Sequence, residues 1–258
     1  MNRHLKLFFP AALALAAVVA APGTGRASTI TTGPVETYAG GFGERVSPIA
    51  NNTSYVAQSF IAPSGLLTQL SFELQSQAAG LDNAQDNSFH LLITETAGGT
   101  EALDPESIYP ATVVFESGDL TMPFDGVGGA SQLFTVNLGL LDLVDGATYA
   151  FVLDAFVSPP ADGVPGKSAV GIRAHDVDPT DLTSYNGGHL FSLNLTDATA
   201  AMTRAQQFNQ PLAWNDTPDH DIAFSLTFDP VPEPGTFVLL ATGLLILVAR
   251  RKSLRAAT

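Results

Sequence analysis

Apolar and polar residues alternate with a period of two along much of the middle of the chain. In DIAFSLTF, residues 221–228, every second residue from position 222 onward is apolar, and the residues between are small or polar. The same alternation runs over 70–74 in LTQLSFEL and over 89–93 in FHLLITE. Because successive side chains of a strand point to opposite faces, this pattern predicts strands of a sheet with one buried face.

The segment TYAFVLDAFV, residues 148–157, is apolar at nearly every position and rich in residues that favour strands. A strand buried on both faces lacks alternation, so this segment predicts a central strand. No stretch between residues 28 and 229 carries a sustained helical stripe of four turns. The further strand candidates are 55–61, 112–116, 133–138, 169–173 and 190–195.

Clusters of glycine, proline, aspartate and asparagine separate the strand candidates. Examples are DGVGG at 125–129, SPPADGVPG at 158–166 and NGG at 186–188. Short strands separated by such turns are typical of all-β domains. We therefore predict that residues 28–229 form one all-β domain, an antiparallel β-sandwich with a jelly-roll-like topology.

The N-terminus presents a basic start, an apolar run over 7–21 and then small residues. This order is typical of a secretory signal peptide, and we predict one over residues 1–27. Cleavage is expected after Ala27, with Ala20 or Ala21 as the alternatives. The competing interpretation is a retained anchor, but about 15 apolar residues are fewer than the ~20 that a spanning helix needs.

The C-terminus carries a second apolar run, over residues 237–249, which is apolar on every side. At ~1.5 Å per residue it predicts a transmembrane helix about 20 Å long, which is short for a hydrocarbon core of ~30 Å. Basic residues beside a membrane segment tend to remain in the cytoplasm, so the domain over residues 28–229 is expected outside the cytoplasm. The basic residues of this end, within 250–255, are Arg250, Arg251, Lys252 and Arg255.

A Pro-Glu-Pro triplet, Pro232, Glu233 and Pro234, precedes the apolar run. The triplet, the apolar helix and the basic end, in this order over residues 230–258, resemble the PEP-CTERM protein-sorting signal of Gram-negative bacteria. The resemblance implies that an exosortase-type membrane protease recognises the Pro-Glu-Pro region and releases or transfers the protein. Other tripartite C-terminal signals also lose their apolar tail. The alternative is that the two prolines stiffen a linker before a retained helix.

This resemblance also implies a route and a set of partners. The chain is expected to pass through the export machinery, to stay in the inner membrane before processing, and then to reach the cell surface or the extracellular space. Such signals accompany exopolysaccharide production, so exopolysaccharide is an expected partner alongside the exosortase.

Residues 28–234 are strongly acidic. Four basic side chains stand against all 25 acidic side chains of the chain, which gives this part a formal charge of −21. Nucleic acid and anionic lipid are therefore poor partners, since both need a basic surface. The chain has no cysteine, which excludes disulfides, thiolate catalysis and cysteine-bound zinc.

No enzyme motif stands out in the sequence. The patterns G-x-S-x-G and H-E-x-x-H are absent, and ADGVPGKS at 161–168 lacks the first glycine of a phosphate-binding loop. Two carboxylates at a defined separation could hydrolyse a glycoside, but the 25 carboxylates single out no pair. We expect a protein without catalytic residues and without a cofactor other than the calcium considered next.

Two acidic clusters, HDVDPTD and NDTPDHD, are candidate calcium sites. Calcium prefers six to eight hard oxygen ligands, which loop aspartates and backbone carbonyls supply. Neither cluster has EF-hand spacing, and the alternative is that these are acidic turn residues in water. The candidate ligands are Asp176, Asp178, Asp181, Asp216, Asp219 and Asp221.

A candidate glycan site comes from SYNGGHL and PLAWNDTPD, which place Tyr185, Asn186 and the only tryptophan, Trp214, on predicted loops. An aromatic ring can lie against the apolar face of a sugar while an amide bonds its hydroxyls. The alternative is that Trp214 closes one end of the sandwich.

The sequence thus favours a non-enzymatic exported protein of the cell surface or extracellular matrix. The role implied by the resemblance is structural or adhesive, in an exopolysaccharide matrix. A carbohydrate-binding module is the alternative, and a polysaccharide hydrolase is a weaker one.

Overall fold

A computed structural model describes the chain in segments. Contacts divide the chain into Ala27–Asp229 and a second unit made of Met1–Arg26 and Pro230–Thr258. The predicted signal peptide, apart from Ala27, and the Pro-Glu-Pro triplet lie outside the described residues. The described residues are 27–32, 37–42, 55–76, 87–98, 108–123, 131–155, 170–176, 185, 187–193, 202–209, 214–217, 220–231 and 242–243.

Within its described residues, Ala27–Asp229 forms two seven-stranded sheets and one short helix, α1 (Arg204–Phe208). The first sheet contains β1 (Ser28–Thr31), β2 (Thr37–Phe42), β4 (Leu66–Ser76), β8 (Ser131–Asp142), β10 (Val170–Asp176), β13 (His220–Ile222) and β14 (Phe224–Asp229). The second sheet contains β3 (Tyr55–Ile61), β5 (Asn87–Thr96), β6 (Pro110–Glu116), β7 (Leu120–Met122), β9 (Thr148–Asp154), β11 (Leu190–Leu193) and β12 (Trp214–Thr217).

The strand pairs described in both sheets are antiparallel. The first sheet contains the order β1-β14-β4-β8, and the second contains β3-β9-β5-β6. The chain crosses repeatedly between these two groups of four strands, which is the interleaving of a jelly roll. The remaining strands extend the sheets: β10 continues along β4 beyond β14, and β11 and β12 follow β3. The predicted all-β antiparallel sandwich is confirmed.

An inner core fills the space between the sheets, as the alternation of the sequence predicts. Leu70, Phe72 and Leu74 on β4 are fully buried, and so are the alternating apolar residues of β5 and β14. The ring of Phe72 stacks on Phe134 of the neighbouring strand at 5.4 Å and approaches Phe151 of the opposite sheet at 6.4 Å. Apolar burial on this scale is the main source of stability for a chain without cysteine.

The outer face of the second sheet is buried too, by a second apolar cluster that we call the outer cluster. Side chains of β9 alternate between the inner core and the outer cluster, and every residue from Tyr149 to Asp154 is buried. This confirms the prediction of a central strand, which lies between β3 and β5. The outer cluster consists of Tyr55, Ala57, Leu92, Ala150, Val152, Phe191, Leu193, Phe208 and Trp214.

Helix α1 covers part of this outer cluster and was not predicted. Its N-cap Thr203 accepts from the backbone N–H of Gln206, whose side chain in turn accepts from the Thr203 N–H at 2.9 Å, a capping box. Five residues are too few to show a helical stripe or to be stable alone, so tertiary packing of the buried Phe208 stabilises the helix.

Other differences from the sequence prediction concern strand ends and edges. The predicted strand over 221–228 is two strands, β13 and β14, which separate at Ala223 and pair with different partners. The Ala223 N–H donates to Arg173 O at 2.9 Å, and Ala223 O accepts from Glu73 N–H at 3.2 Å. The unpredicted strands β1, β2, β7 and β12 are short or lack a clear apolar alternation.

Candidate functional site

A network of charged side chains lies on the outer face of the second sheet, where α1 meets β5, β6 and β9. The strand register places His90 directly opposite Asp154, with Glu116 on the next strand. Arg204, the first residue of α1, lies 2.8 Å from Asp154 Oδ2 through Nη2, and its Nη1 donates to Glu116 Oε2 at 3.0 Å. We call these four residues and Asp119 the ion network.

His90 is held by two carboxylates at once. Its Nδ1 lies 2.7 Å from Glu116 Oε1, and its Nε2 lies 2.7 Å from Asp119 Oδ1. Both ring nitrogens can donate only when the imidazole is protonated, so this geometry fits an imidazolium ion. Partial burial lowers the pKa of His90, but the hydrogen bonds to Glu116 and Asp119 outweigh it and the net pKa is raised.

Glu116 and Asp154 are the two carboxylates that Arg204 joins. Burial raises the pKa of Glu116, but the hydrogen bonds from Arg204 and His90 outweigh it and the net pKa is lowered. Asp154 is only 1% exposed, so its charge depends on a close cation. Beside it, Tyr55 donates to Gln207 Oε1 at 2.7 Å, and burial, then the Asp154 charge, raises the Tyr55 pKa.

The arrangement of the ion network fits a structural role that links α1 to the second sheet. In the protonated form, both nitrogens of His90 donate to carboxylates, and neither is available to accept a proton as a general base. Arg204 bridges Glu116 of β6 and Asp154 of β9, which ties α1 to the sheet. His90 bridges Glu116 and Asp119, which lies between β6 and β7. The sequence signal for this network is weak: Asp154 interrupts the apolar run of β9, and His90 lies between the alternating apolar residues of β5.

Trp214, one of the candidate glycan residues, is the first residue of β12 and not part of a loop. Its side chain is buried, and its ring lies 6.0 Å from that of Phe208 and 6.4 Å from that of Tyr55. The Trp214 ring therefore lies within the outer cluster. Sugar binding by Trp214 stays a prediction, and in this conformation the ring face is not open.

Tyr185 is half-buried against the inner core. Its hydroxyl accepts from the Ile61 N–H at 2.9 Å and donates to Gly187 O at 3.1 Å, and its ring meets that of Phe224 edge-on at 5.5 Å. Burial raises the Tyr185 pKa. Gly188 has no room for a side chain, since a Cβ there would lie 1.8 Å from Ser59 O. Asn186 lies outside the described residues.

The candidate calcium ligands are only partly described. Asp216 lies 3.2 Å from His189 Nδ1, and the fully buried Asp221 accepts from Gln58 Nε2 at 2.5 Å. Within the described segments, no group of three or more histidine and acidic side chains has the geometry to hold a metal ion. Asp178, Asp181 and Asp219 lie outside them, as does the side chain of Asp176, so calcium binding stays a prediction.

Comparison with known families identifies the C-terminal segment. The sequence profile of the PEP-CTERM protein-sorting motif matches residues 230–252, which include the Pro-Glu-Pro triplet and the basic residues from Arg250 to Lys252. The chain therefore carries this sorting signal, which marks an exported protein processed by an exosortase, a membrane protein. No curated protein matches the chain significantly.

Two residues of the predicted tail helix, Thr242 and Gly243, are described, and both have helical backbone. Across the described parts of the chain, no helix has both the length and the hydropathy of a membrane span.

Proposed function

We propose that the chain is a non-enzymatic protein of the cell surface or extracellular matrix, with a structural or adhesive role among exopolysaccharides. The observation that carries the proposal is the PEP-CTERM motif at residues 230–252, joined directly to a jelly-roll body that ends at Asp229. The motif accounts for delivery, and the body is the part that would remain outside the cell.

Two properties of the body support a structural role. The second sheet is buried on both faces, which gives the sandwich two apolar clusters in place of one. The ion network adds charge-assisted bonds between three strands and α1. A module exposed to the outside of a cell without disulfides depends on such packing to persist.

The proposed route begins in the inner membrane. The signal peptide is removed after Ala27, the tail holds the chain until an exosortase acts near the Pro-Glu-Pro triplet, and the body is then attached at the surface or released. The partners are the export machinery, the exosortase and the surrounding exopolysaccharide.

Intact-mass spectrometry of the full-length chain tests the route. The chain is expressed in a bacterium that has an exosortase and in the same strain without it, and the membrane and extracellular fractions are compared. We expect a mass without residues 1–27 in both strains, and loss of the segment after the triplet only in the strain that has an exosortase. Any additional mass at the new C-terminus identifies what is attached there.

A pair of variants assigns the processing to the triplet. Glu233→Ala is expected to retain 237–258 in the membrane fraction, whereas Val231→Ala, two residues away, is expected to be processed normally. Retention of the tail in the unmodified chain, in a host that has an exosortase, would instead identify a permanent anchor.

The matrix role is tested by washing the exopolysaccharide from the same cells. The processed protein is expected in the polysaccharide fraction. Cells that lack the protein are expected to form a less cohesive cell layer. A processed protein found entirely in the culture medium, with cohesion unchanged in its absence, contradicts a structural role.

A further inference from the structure

The outer face of the first sheet carries hydroxyl and amide side chains in register across four strands. On β1, β14, β4 and β8, residues such as Ile30, Leu70 and Leu226 point into the inner core. Side chains alternate along a strand, so the residues between them point outward. The composition of these outward residues differs from that of the acidic chain as a whole.

The first row of this face contains one residue from each strand. Thr31 pairs with Ser225, Ser225 with Ser71, and Ser71 with Thr135. The hydroxyls of Ser71 and Thr135 are 3.0 Å apart and share a hydrogen bond. All four side chains therefore present a hydroxyl.

The second row lies two residues away on each strand. Thr29 pairs with Thr227, Thr227 with Gln69, and Gln69 with Asn137. We call the two rows together the polar array. At a strand spacing of ~4.8 Å the array is about 14 Å wide, and Gln69, Thr135 and Asn137 within it are exposed.

A shallow recess adjoins the second row, where the strands lose their regular register. The β4–β8 pairing shifts between Leu67 and Gln69, and Gly139 adopts a positive φ of 76° while its N–H donates to Asn137 Oδ1 at 2.8 Å. Next to this bulge, Leu140 is 68% exposed, and Leu133 at the opposite end of β8 is 66% exposed. Apolar side chains therefore flank the array at both ends.

The absence of charge from the array decides what it can bind. Residues 28–234 have a formal charge of −21, yet none of the eight side chains in the two rows is ionisable. The charges at the border include Asp229 beside the recess, Asp142 at the same register position, and Glu73, which lies 4.0 Å from Arg173. Such a surface offers no strong attraction to a cation or to a charged polymer.

Hydroxyl and amide groups both donate and accept hydrogen bonds, so they complement a partner that does the same. Neutral sugars have this chemistry on their hydroxyls, and their apolar ring faces suit an exposed leucine. A set of groups that crosses four strands accommodates an extended chain better than a single sugar, which usually sits in a concave pocket.

We propose that the polar array binds an extended, neutral polysaccharide across β1, β14, β4 and β8. The expected source of the ligand rests on the proposed matrix role, but the site itself is carried by the geometry of the first sheet. It is distinct from the glycan site expected at Tyr185, Asn186 and Trp214.

Binding is measured with full-length protein in a zwitterionic detergent, against insoluble microcrystalline cellulose and curdlan as neutral glucans and against alginate as an anionic polymer. The double variant Gln69→Glu/Thr135→Glu places two charges in the array. Gln206→Glu makes the same amide-to-carboxylate change on the exposed side of α1 and keeps the capping box.

We expect depletion of the unmodified protein by at least one neutral glucan and not by alginate. The double variant should bind at least tenfold more weakly, and Gln206→Glu should bind like the unmodified protein. Circular dichroism melting verifies folding, and Thr135→Val, which removes one hydroxyl without adding charge, is expected to weaken binding severalfold if the double variant does not fold.

No binding to either neutral glucan, or equal binding by the array variants and the unmodified protein, overturns the proposal. Sedimentation that shows a dimer of the unmodified protein, dispersed by the double variant without any glucan binding, assigns the face to a second copy and also overturns it. If the protein binds glucan but is not retained in the matrix, the glucan site is supported and the proposed function is rejected.

Discussion

The two outer faces of the sandwich have opposite surroundings. The outer face of the second sheet is covered by α1, Trp214 and the ion network, so that Val152 and Phe191 are buried. The outer face of the first sheet, where the array lies, has exposed residues such as Thr135 and Asn137. Strands of similar length and the same pairing pattern thus become either core or surface, depending on which later segments of the chain pack on them.

The difference extends to charged side chains. On the covered face, Asp154 is 1% exposed and lies 2.8 Å from Arg204. At the edge of the open face, Glu73 is 28% exposed and lies 4.0 Å from Arg173. Removing the partner of a buried charge is costly, whereas exposed ion pairs contribute little, so equivalent substitutions should separate the two faces.

The largest effect is expected in the inner core, on which both faces depend. Phe72→Ala should lower the free energy of unfolding by about 3–5 kcal/mol, because it leaves a cavity between three aromatic rings. Leu133→Ala, at a 66% exposed position of the paired strand β8, should change it by less than about 0.5 kcal/mol. Urea unfolding followed by tryptophan fluorescence measures both, and similar losses would contradict the assigned core.

The next largest effect on the free energy of unfolding is expected at Arg204, with Arg173 as the comparison. Arg204→Met should lower the free energy of unfolding by about 3 kcal/mol, because Asp154 loses its close cation in a buried site. Arg173→Met should lower it by less than about 1 kcal/mol, since its carboxylate partner is partly exposed. If urea unfolding shows the same loss of unfolding free energy for both variants, Arg204 does not stabilise a buried carboxylate.

A matched pair of threonines tests the faces with a smaller change. Thr94 is fully buried on the second sheet and donates to Ala150 O at 3.2 Å, so Thr94→Val should cost about 1 kcal/mol. Thr135→Val, on the open face, should change stability by less than about 0.5 kcal/mol. Thermal melting compares the two, and a larger loss for Thr135→Val would mean that the array is covered in the folded protein.

The smallest effect is a pH dependence from His90. Its raised folded pKa stabilises the protein below the unfolded value of about 6.5, and this contribution disappears as pH rises through the folded pKa. The lowered pKa of Glu116 acts in the other direction, since its contribution disappears as pH falls through that folded pKa. The groups around His90 are Glu116, Asp119 and Asp154, with Arg204 beyond.

The unmodified protein should therefore lose stability relative to His90→Gln as pH rises from about 6.5 through the raised folded pKa, by less than about 1 kcal/mol because the site is partly exposed. Urea midpoints of both proteins across this range measure the difference. A constant difference would show that His90 does not change its charge there.

Much of the sandwich could be predicted from the sequence because alternation is a local property. The apolar positions of β4, β5 and β14 identify their buried faces, and the unbroken apolar run of β9 identifies a strand covered on both sides. The division at Ala223 could not be predicted in the same way. It arises because β13 and β14 pair with different strands that are distant in sequence.

The candidate sites likewise depend on contacts between residues that are distant in sequence. The local sequence places the only tryptophan on a predicted loop, yet Trp214 begins β12 and packs with Phe208 and Tyr55, which lie elsewhere in the chain. His90 and Arg204 are isolated in sequence, and the ion network forms only because β5, β6, β9 and α1 converge. The eight residues of the polar array come from four strands in the same way.

The sequence by itself determined the all-β class, the buried faces of the main strands and the sorting signal at the C-terminus. Each depends on residues close together in the chain, through strand alternation or through a contiguous motif. Only the tertiary structure decided the position of each strand within the predicted jelly-roll-like topology, the covering of one sheet and the exposure of the other. These depend on contacts between distant segments, which local patterns do not specify.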